Sequence, residues 1–506
     1  MYRLTGKLIG FFLRLYGKRK PLKYRSGVDK QERTLLKLVN QAAKTTFGLD
    51  HSFNGIKTVA AFQKNVPLRD YQAFWKEYWG KNFPKLNNVT WPGSIKYFAK
   101  TSGTTNGKSK FIPCSKEMIK SNNNAGLQVV IEHLRNRPQS KVLEGRNFLF
   151  AGSPNLDQLA KGVFAGELSG IAAKETLSWV GRDRYYPPWE LAKLKDWQEK
   201  VEKISTDCLD KNIRAISGLP SWLQILFEKI FANSPRQEKD LKSYFPDLEL
   251  IVHGGMGFRP YYNYFTSISS KSIDFREVYA ASEGFFAIAD RGFDDGLKLI
   301  VDSGIFYEFI EVDEMGNDNA KRYWLGDVKE NVNYAIVVTT CAGLWGYVVG
   351  DIVRFIDIEN LRILFAGRLS QTLSKFGEKI INEELEIAVA AAAGKMGLEF
   401  HDFTVGSDFL KTDTTKGQHT FVIEFEQTLN SKQEYELAQA IDKELIESNS
   451  GYAVRRTNDI NIIVPVVISV SNGSFAKWMK ARGKMGGQNK VPRVVDLQQI
   501  SDLLEM

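Results

Sequence analysis

Cysteine and histidine are both scarce in this 506-residue sequence, which contains three cysteines and five histidines. The cysteines are Cys114, Cys208 and Cys341. Because they are far apart and odd in number, they favour free thiols in a reducing compartment over a disulfide framework. No histidine stands at ligand spacing from another histidine or from a cysteine, which argues against a structural zinc site. We therefore expect a cytoplasmic protein with no disulfide framework.

Long hydrophobic runs are also missing. The longest apolar stretches, such as residues 462–470, are too short to cross a bilayer. The composition is otherwise that of a globular protein, with 43% hydrophobic and 25% charged residues, so pervasive disorder is not expected. A chain of this length can bury a large core and is long enough for more than one domain.

Acidic residues are absent from two basic stretches, whose fourteen positive charges exceed the net charge of +9 of the whole chain. Residues 1–26 hold eight basic side chains, and residues 476–493 hold six. The body between these stretches is close to electroneutral, which does not fit a protein that follows nucleic-acid phosphates over a broad surface. We therefore expect no nucleic-acid partner.

The N-terminal residues have an amphipathic helical pattern. Its apolar face contains Leu4, Leu8, Phe11, Phe12 and Leu15, and its basic face contains Arg3, Lys7, Arg14 and Lys18. No small-residue cleavage site follows, so the segment is not a good secretory signal. Because most amphipathic helices face a core, we predict that this helix docks on its own protein. Contact with an anionic membrane surface is the alternative.

Apolar patterning predicts an α/β protein with two domains. The first hundred residues are predicted to be helical, and residues 146–289 alternate short apolar runs with longer helical stretches, as α/β layers do. Residues 297–365 are rich in β-formers and predict a smaller β unit appended to the main sheet. From residue 367 the pattern is helix, strand, strand, helix and strand, which predicts a separate α+β domain. We place the domains at residues 1–366 and 367–506.

The strongest local signal is TSGTTNGKSK at residues 101–110. Backbone N–H groups and hydroxyls of such a loop can surround phosphate oxygens. It is not a Walker A loop, because three rather than four residues separate Gly103 from Gly107. A P-loop NTPase is therefore disfavoured, and a structural polar turn is the alternative to a phosphate site.

Three further segments carry candidate ligands. Glu283, after an apparent strand at its YAASEG segment, could coordinate Mg²⁺ through its carboxylate. Asp351 ends the apolar run YVVGD, and an aspartate at a strand end can accept both ribose hydroxyls. Arg368 precedes KFGEKI at residues 375–380, near the proposed domain boundary where hinges often lie. Each segment alone is also typical of an ordinary surface turn.

Taken in order, these segments resemble the adenylate-forming superfamily, which includes acyl-CoA synthetases and peptide-synthetase adenylation domains. The closer resemblance is to the acyl-acid amido synthetases, the auxin-responsive family of plants and its bacterial relatives. It rests also on FGL at 47–49, VPL at 66–68, Tyr71, GLPSW at 218–222, GSF at 473–475 and GQNKVPR at 487–493. The match spans nearly the whole chain in the correct order.

The resemblance implies a large N-terminal adenylation domain with a β subdomain, and a small mobile α+β domain that contributes a lysine loop. The residues implied to bind nucleotide are Ser102, Gly103, Thr104, Thr105, Gly107, Lys108, Tyr279, Ser282, Asp351 and Arg368. Glu283 is implied to hold Mg²⁺, and it and Lys490 are the implied catalytic residues. The segment HGGMG at 253–257 departs from the plant pattern, so the identity of the substrate is not carried over.

The resemblance implies an ATP- and Mg²⁺-dependent enzyme that adenylates a carboxylic acid and passes the acyl group to the amine of an amino acid. The alternative within the superfamily is an acyl-CoA ligase that uses the same adenylate. A non-catalytic, nucleotide-responsive or membrane-surface scaffold is a further alternative, although a scaffold has no need for this ordered set of residues.

Overall fold

A computed structural model describes residues 2–17, 23–101, 109–176, 184–194, 196–234, 238–293, 295–317, 319–410, 416–426, 428–457, 461–482 and 491–505. Its contacts divide the chain into two compact units. The first unit is Met1–Val349 with Arg354–Leu364, and the second is Gly350–Val353 with Phe365–Met506.

The helices of the first unit precede and flank its strands. They are α1 (Tyr2–Gly17), α2 (Tyr24–Ala42), α3 (Thr46–Asp50), α4 (Val59–Asn65), α5 (Tyr71–Phe74), α6 (Lys116–Asn136), α7 (Leu168–Thr176), α8 (Trp189–Ala192), α9 (Trp197–Asp207), α10 (Pro220–Asn233), α11 (Leu241–Tyr244) and α12 (Tyr262–Ser267). No helix among the described residues is long and apolar enough to cross a membrane.

The strands up to residue 368 form two sheets. They are β1 (Tyr97–Thr101), β2 (Lys110–Cys114), β3 (Arg146–Phe150), β4 (Asp157–Ala160), β5 (Val163–Gly166), β6 (Tyr185–Tyr186), β7 (Ile213–Gly218), β8 (Leu250–Gly254), β9 (Asp274–Ala281), β10 (Gly284–Ile288), β11 (Leu297–Leu299), β12 (Ile305–Glu311), β13 (Tyr323–Trp324), β14 (Asn333–Thr340), β15 (Tyr347–Asp357) and β16 (Arg362–Arg368). The smaller sheet has the order β2-β1-β5-β4 and the larger β13-β12-β14-β15-β16-β11-β10-β9-β8-β7-β3-β6.

The larger sheet confirms the predicted α/β class and refines one detail. The β-rich residues 297–365 do not build a sheet of their own, because β11 pairs with both β10 and β16 and the remaining strands continue the same order. The predicted β unit is thus an extension of the main sheet.

Helix α10 shows how the core beside the sheet is built. Pro220 occupies its first turn, where the missing N–H costs no hydrogen bond. Trp222, Leu223, Leu226 and Phe227 are all buried in one cluster with strand residues, at the spacing of a single helical face. Each such side chain contributes about 1.5–3 kcal/mol by leaving water.

Helix α1 docks on the protein through a different face from the one that its amphipathic pattern indicates. It lies against α6, so docking on its own protein is correct, but the face that docks is not the apolar one. Gly6, Gly10 and Gly17 are buried, whereas Phe11 and Phe12 are exposed. The reason is steric, since the backbone of α1 approaches the chain too closely for a side chain at Gly6.

The second unit is an α+β layer. It contains α13 (Asn382–Lys395), β17 (Phe400–Phe409), β18 (Gly417–Phe425), α14 (Ser431–Ser448), α15 (Ser450–Arg456), β19 (Val466–Ser471), α16 (Ser474–Ala481) and α17 (Leu497–Leu504). The sheet has the order β17-β18-β19, and apolar residues of α13 and α14 cover it.

The three cysteines are free, as the sequence predicted, and all three are buried. Burial raises the pKa of each thiol to about 12. They therefore stay protonated and act as small apolar core residues.

Candidate active site

The carboxyl ends of parallel strands form one edge of the first unit's main sheet. Strands β3, β7, β8 and β9 are parallel to one another. Their C-terminal ends lie at the same edge, which is where open α/β sheets bind ligands. The sequence predicted a site after β9, and the structure adds the turns after β7 and β8 to the same edge.

Glycines keep the ends of β7 and β8 free of side chains. A Cβ at Gly254 would lie 2.2 Å from the carbonyl oxygen of Val278, and one at Gly218 would lie 2.8 Å from that of Phe150. Gly255 has φ +79°, a conformation that favours glycine. These glycines therefore allow the neighbouring strands to approach closely at this edge.

Glu283 lies in a tight turn next to this edge. Ala281 pairs with Gly284 across the β9–β10 hairpin, so Ser282 and Glu283 are the two turn residues. The hydroxyl of Tyr347 donates to Oε1 of Glu283 at 3.5 Å. Glu283 is thus a half-buried carboxylate whose position is guided by a buried phenol.

Tyr279, which the sequence also assigned to nucleotide binding, faces the interior. Its ring meets Phe286 edge-on at 5.0 Å between centroids, and the residue is buried. Its position supports the hairpin that carries Glu283.

Tyr347 stays protonated at neutral pH. Burial raises its pKa well above 10, and the negative charges of Glu283 and Asp70 add to the effect, followed by Tyr71. A neutral phenol can only donate its proton to Glu283. Asp70 itself caps α5 by accepting from the N–H of Ala73.

A second tyrosine connects this region to the Thr-rich loop. The hydroxyl of Tyr71 accepts from the backbone N–H of Phe111 in β2 at 3.0 Å. Thr101 pairs with Lys110 in the β1–β2 hairpin, so both ends of the loop start from that hairpin. The predicted phosphate ligands Ser102, Gly103, Thr104, Thr105, Gly107 and Lys108 lie outside the described residues.

The residues that sequence reasoning missed are the phenols that join these parts. Tyr71 and Tyr347 belong to short motifs of the sequence, but no role was predicted for either tyrosine. Asp70 was not among the predicted site residues. Tyr347 and Glu283 are 64 positions apart, and no periodic pattern relates such distant residues. Only their chemistry could have pointed to them, because Tyr347 and Glu283 are polar and lie in or beside the segments predicted to bind ligands.

No group of three histidine, cysteine, aspartate or glutamate side chains converges on a metal site within the described part of the chain. A single carboxylate such as Glu283 suits Mg²⁺, which is usually held by one or two carboxylates together with substrate phosphates. Glu283 therefore fits the role that the sequence assigned to it.

In the second unit the structure brings Asp351 and Arg368 together. Nε of Arg368 lies 3.0 Å from Oδ1 of Asp351, and the side chains are 48% and 3% exposed. Asp351 was expected at the end of a strand, which is wrong: β15 continues to Asp357. Gly350 has φ +90°, so the strand bends there without ending.

The lysine-containing segment after Arg368 is held within the second unit. Nζ of Lys375 donates to the carbonyl oxygen of Ser407 at 3.1 Å and pairs with Asp408 at 2.6 Å. The predicted catalytic residue Lys490 lies outside the described residues.

His253, in the segment that departs from the plant pattern, belongs to the core. It is 3% exposed and stacks on Phe258 at 3.7 Å between ring centroids. Its Nδ1 has no hydrogen-bond partner among the described residues. Burial lowers its pKa to about 3, so the imidazole is neutral in the folded protein.

We expect acid to destabilise the first unit through His253. Its imidazole binds a proton near pH 6.5 when unfolded but only near pH 3 when folded, so protons favour the unfolded state between these values. Stability is complete above pH 6.5 and falls toward pH 3, by about 2 kcal/mol at pH 5. Urea unfolding at pH 7 and pH 5 measures the loss. His253→Gln should reduce the loss by that amount, and an unchanged pH dependence would contradict the assignment.

Three models of one family match the chain in order. The GH3 family N-terminal domain matches residues 23–196, the central domain matches 298–368, and the C-terminal domain matches 383–499. Together they cover well over half of the chain.

Plant enzymes are among the similar curated proteins. Indole-3-acetic acid-amido synthetase GH3.3 of Arabidopsis thaliana is 27% identical over 365 residues, which are 69% of this chain and 55% of that protein. The 4-substituted benzoates-glutamate ligase GH3.12 of Arabidopsis thaliana is 28% identical over 284 residues, which are 51% of this chain and 47% of that protein. The chain spans about half the length of the curated relatives it matches.

Solved structures share the fold. GH3.15 acyl acid amido synthetase has a TM-score of 0.77 at 20% identity, covering 94% of this chain and 93% of that one. 2-Hydroxyisobutyryl-CoA ligase in the postadenylation state has a TM-score of 0.58 at 12% identity, covering 95% and 93%. The predicted adenylate-forming fold is therefore confirmed.

Proposed function

The chain belongs to the GH3 family, and from that premise we propose that it is an ATP-dependent acyl-acid amido synthetase. Its substrates are a small carboxylic acid and an amino acid. The observation that carries the proposal is the convergence of Glu283, Tyr347 and Tyr71 with the hairpin of the Thr-rich loop. One carboxylate beside a phosphate loop is what ATP with Mg²⁺ needs.

The first step makes the acid a good acyl donor. A carboxylate oxygen of the acid attacks the α-phosphorus of ATP, a new P–O bond forms, and the bond to the bridging oxygen breaks to release pyrophosphate. The protein positions the two reactants in line and neutralises the charge that develops on the phosphate oxygens. Mg²⁺ bound to ATP supplies part of that neutralisation.

Each residue of the first unit has a defined task in this step. Glu283 would hold the Mg²⁺ that accompanies ATP, and the protonated Tyr347 positions that carboxylate by donating to it. Ser102 through Lys108, which lie outside the described residues, would bind the phosphates. Because Tyr347 is buried and neutral, it adds no charge that would compete with the nucleotide.

The second step forms the amide. The neutral amine of the amino acid attacks the acyl carbonyl, a C–N bond forms, the C–O bond to AMP breaks, and the amine loses a proton. Asp351 accepts from the ribose hydroxyls, Arg368 contacts the nucleotide, and Lys490 acts in the adenylation step.

The protein works in the cytoplasm, in keeping with its free thiols.

ATP–pyrophosphate exchange across a panel of carboxylic acids tests the proposal. Acid-dependent exchange is expected, and mass spectrometry after adding amino acids should detect an acyl-amino acid and AMP. Replacing the amino acids with coenzyme A separates the acyl-CoA ligase, which would yield a thioester. Absence of exchange with every acid in the panel would leave ATP binding without turnover, as in a scaffold.

We expect Asp351→Ala to raise the KM for ATP by about tenfold with kcat changed less than threefold. Ribose contacts exist in both the ground and transition states, and a hydrogen bond to a charged group contributes about 1.5–3 kcal/mol. Steady-state kinetics with varied ATP give both constants. Asp408→Ala, which also removes a carboxylate partner of a basic residue in the second unit, is the matched control. A fall in kcat at unchanged KM would contradict the ribose role.

A further inference from the structure

Helix α1 docks on the first unit through a face of glycines. Gly6, Gly10 and Gly17 are buried, and Leu13 packs partly into the neighbouring apolar cluster. A Cβ at Gly6 would lie 2.0 Å from the carbonyl oxygen of Leu143, so no side chain fits there. Glycine inside a helix is destabilising by about 1 kcal/mol relative to alanine, and the close approach accounts for its presence.

Hydrogen bonds fasten the same side of α1. Nε of Arg14 donates to the carbonyl oxygen of Pro138 at 2.7 Å, and its Nη2 donates to that of Ser140 at 2.5 Å. Nε of Arg135 donates to the carbonyl oxygen of Gly17 at 2.9 Å. The orientation of the helix is thereby set, and with it the face that points to solvent.

The face that points to solvent is the apolar one. Leu8, Phe11, Phe12 and Leu15 are 61%, 56%, 60% and 46% exposed. Their spacing of three, four and seven residues puts them on one side of the helix, opposite the buried glycines. A contiguous group of exposed aromatic and aliphatic side chains marks an interaction site.

The positive charge around this apolar face favours an anionic partner. Residues 1–26 contain eight basic side chains and no acidic one, and Lys7 is exposed beside the apolar face. Pairing with the same face of a second copy would oppose two strongly cationic segments, which disfavours a symmetric dimer. Anionic lipid headgroups attract the cations, while the acyl region accepts the apolar side chains.

We propose that α1 is a docking helix for anionic membranes, which inserts Leu8, Phe11, Phe12 and Leu15 into the headgroup region while its glycine face stays on the protein. The binding is peripheral and reversible, because one short amphipathic helix inserts only to the boundary of the acyl chains.

Vesicle flotation of the full chain tests the proposal. We expect the protein to float with phosphatidylcholine vesicles that contain about one third phosphatidylserine and to stay largely unbound with pure phosphatidylcholine. Raising the salt concentration from about 50 mM to about 500 mM should weaken binding. Phe11→Ser with Phe12→Ser should reduce the bound fraction at least about tenfold, and Lys7→Glu should reduce it in phosphatidylserine vesicles.

The matched control is Tyr435→Ser, which removes an aromatic ring that is 64% exposed in the second unit. It should float like the wild type, and all variants should keep wild-type thermal stability and ATP–pyrophosphate exchange. Absence of flotation, or equal flotation of the wild type and the Phe11/Phe12 variant, would overturn the proposal. So would a lipid-free dimer that the Phe11/Phe12 variant abolishes, since a second copy would then cover this face.

Discussion

Glu283→Gln is expected to slow acyl-adenylate formation by about 10²–10³-fold, or about 3–4 kcal/mol in the barrier. The substitution keeps the shape of the side chain but removes the charge that holds a hard cation. The Mg²⁺ concentration that gives half-maximal exchange should rise more than the KM for the acid. Both quantities are measured by ATP–pyrophosphate exchange with varied Mg²⁺ and varied acid.

Two further variants test whether the loss of exchange is specific to Glu283 and its hydrogen-bond partner. Tyr347→Phe removes the hydroxyl that donates to Glu283, and we expect a smaller loss of about tenfold, the scale of one hydrogen bond to a charged group. Glu311→Gln changes a partly buried carboxylate at the end of β12 and should leave exchange unchanged. If Glu283→Gln kept the wild-type rate and Mg²⁺ requirement, Glu283 would be an ordinary turn residue.

Lys490→Ala is expected to slow adenylation much more than the transfer of the acyl group to the amine. Attack on the α-phosphorus concentrates negative charge on its oxygens and on the departing pyrophosphate, where a compact ammonium is effective. We expect adenylation to slow by about 10²–10³-fold, while product formation from preformed acyl-adenylate and amine stays within about tenfold of wild type.

Rapid-quench measurement of each half-reaction tests this division. Lys480→Ala is the matched control, because Lys480 is an exposed lysine of α16 in the same acid-free stretch. It should leave both half-reactions unchanged. Equal losses in both half-reactions of Lys490→Ala would assign Lys490 to folding or general binding, and no loss in either would make it a surface lysine.

Local sequence patterns predicted the elements well where one periodicity dominates. The alternation of short apolar runs and helical stretches predicted for residues 146–289 is confirmed, since this region contains β7, α10, β8 and β9. Asp351 was expected at the end of a strand, but it lies within β15. A glycine with positive φ can bend a strand without ending it.

The sequence by itself determined the fold class and the family, because alternating apolar runs and an ordered series of short motifs are encoded along the chain. It also determined that α1 is amphipathic and basic. These properties depend on neighbouring residues and on composition, so they can be derived without knowledge of which surfaces meet.

Only the tertiary structure decided which face of α1 is buried and which residues surround Glu283. The docking face is chosen by the backbone at Leu143, which leaves room for Gly6 but not for a side chain. The position of Glu283 is guided by Tyr347, and Tyr71 contacts the loop's hairpin. Such contacts join residues far apart in sequence, and they form only because close packing of the folded chain admits some shapes and excludes others.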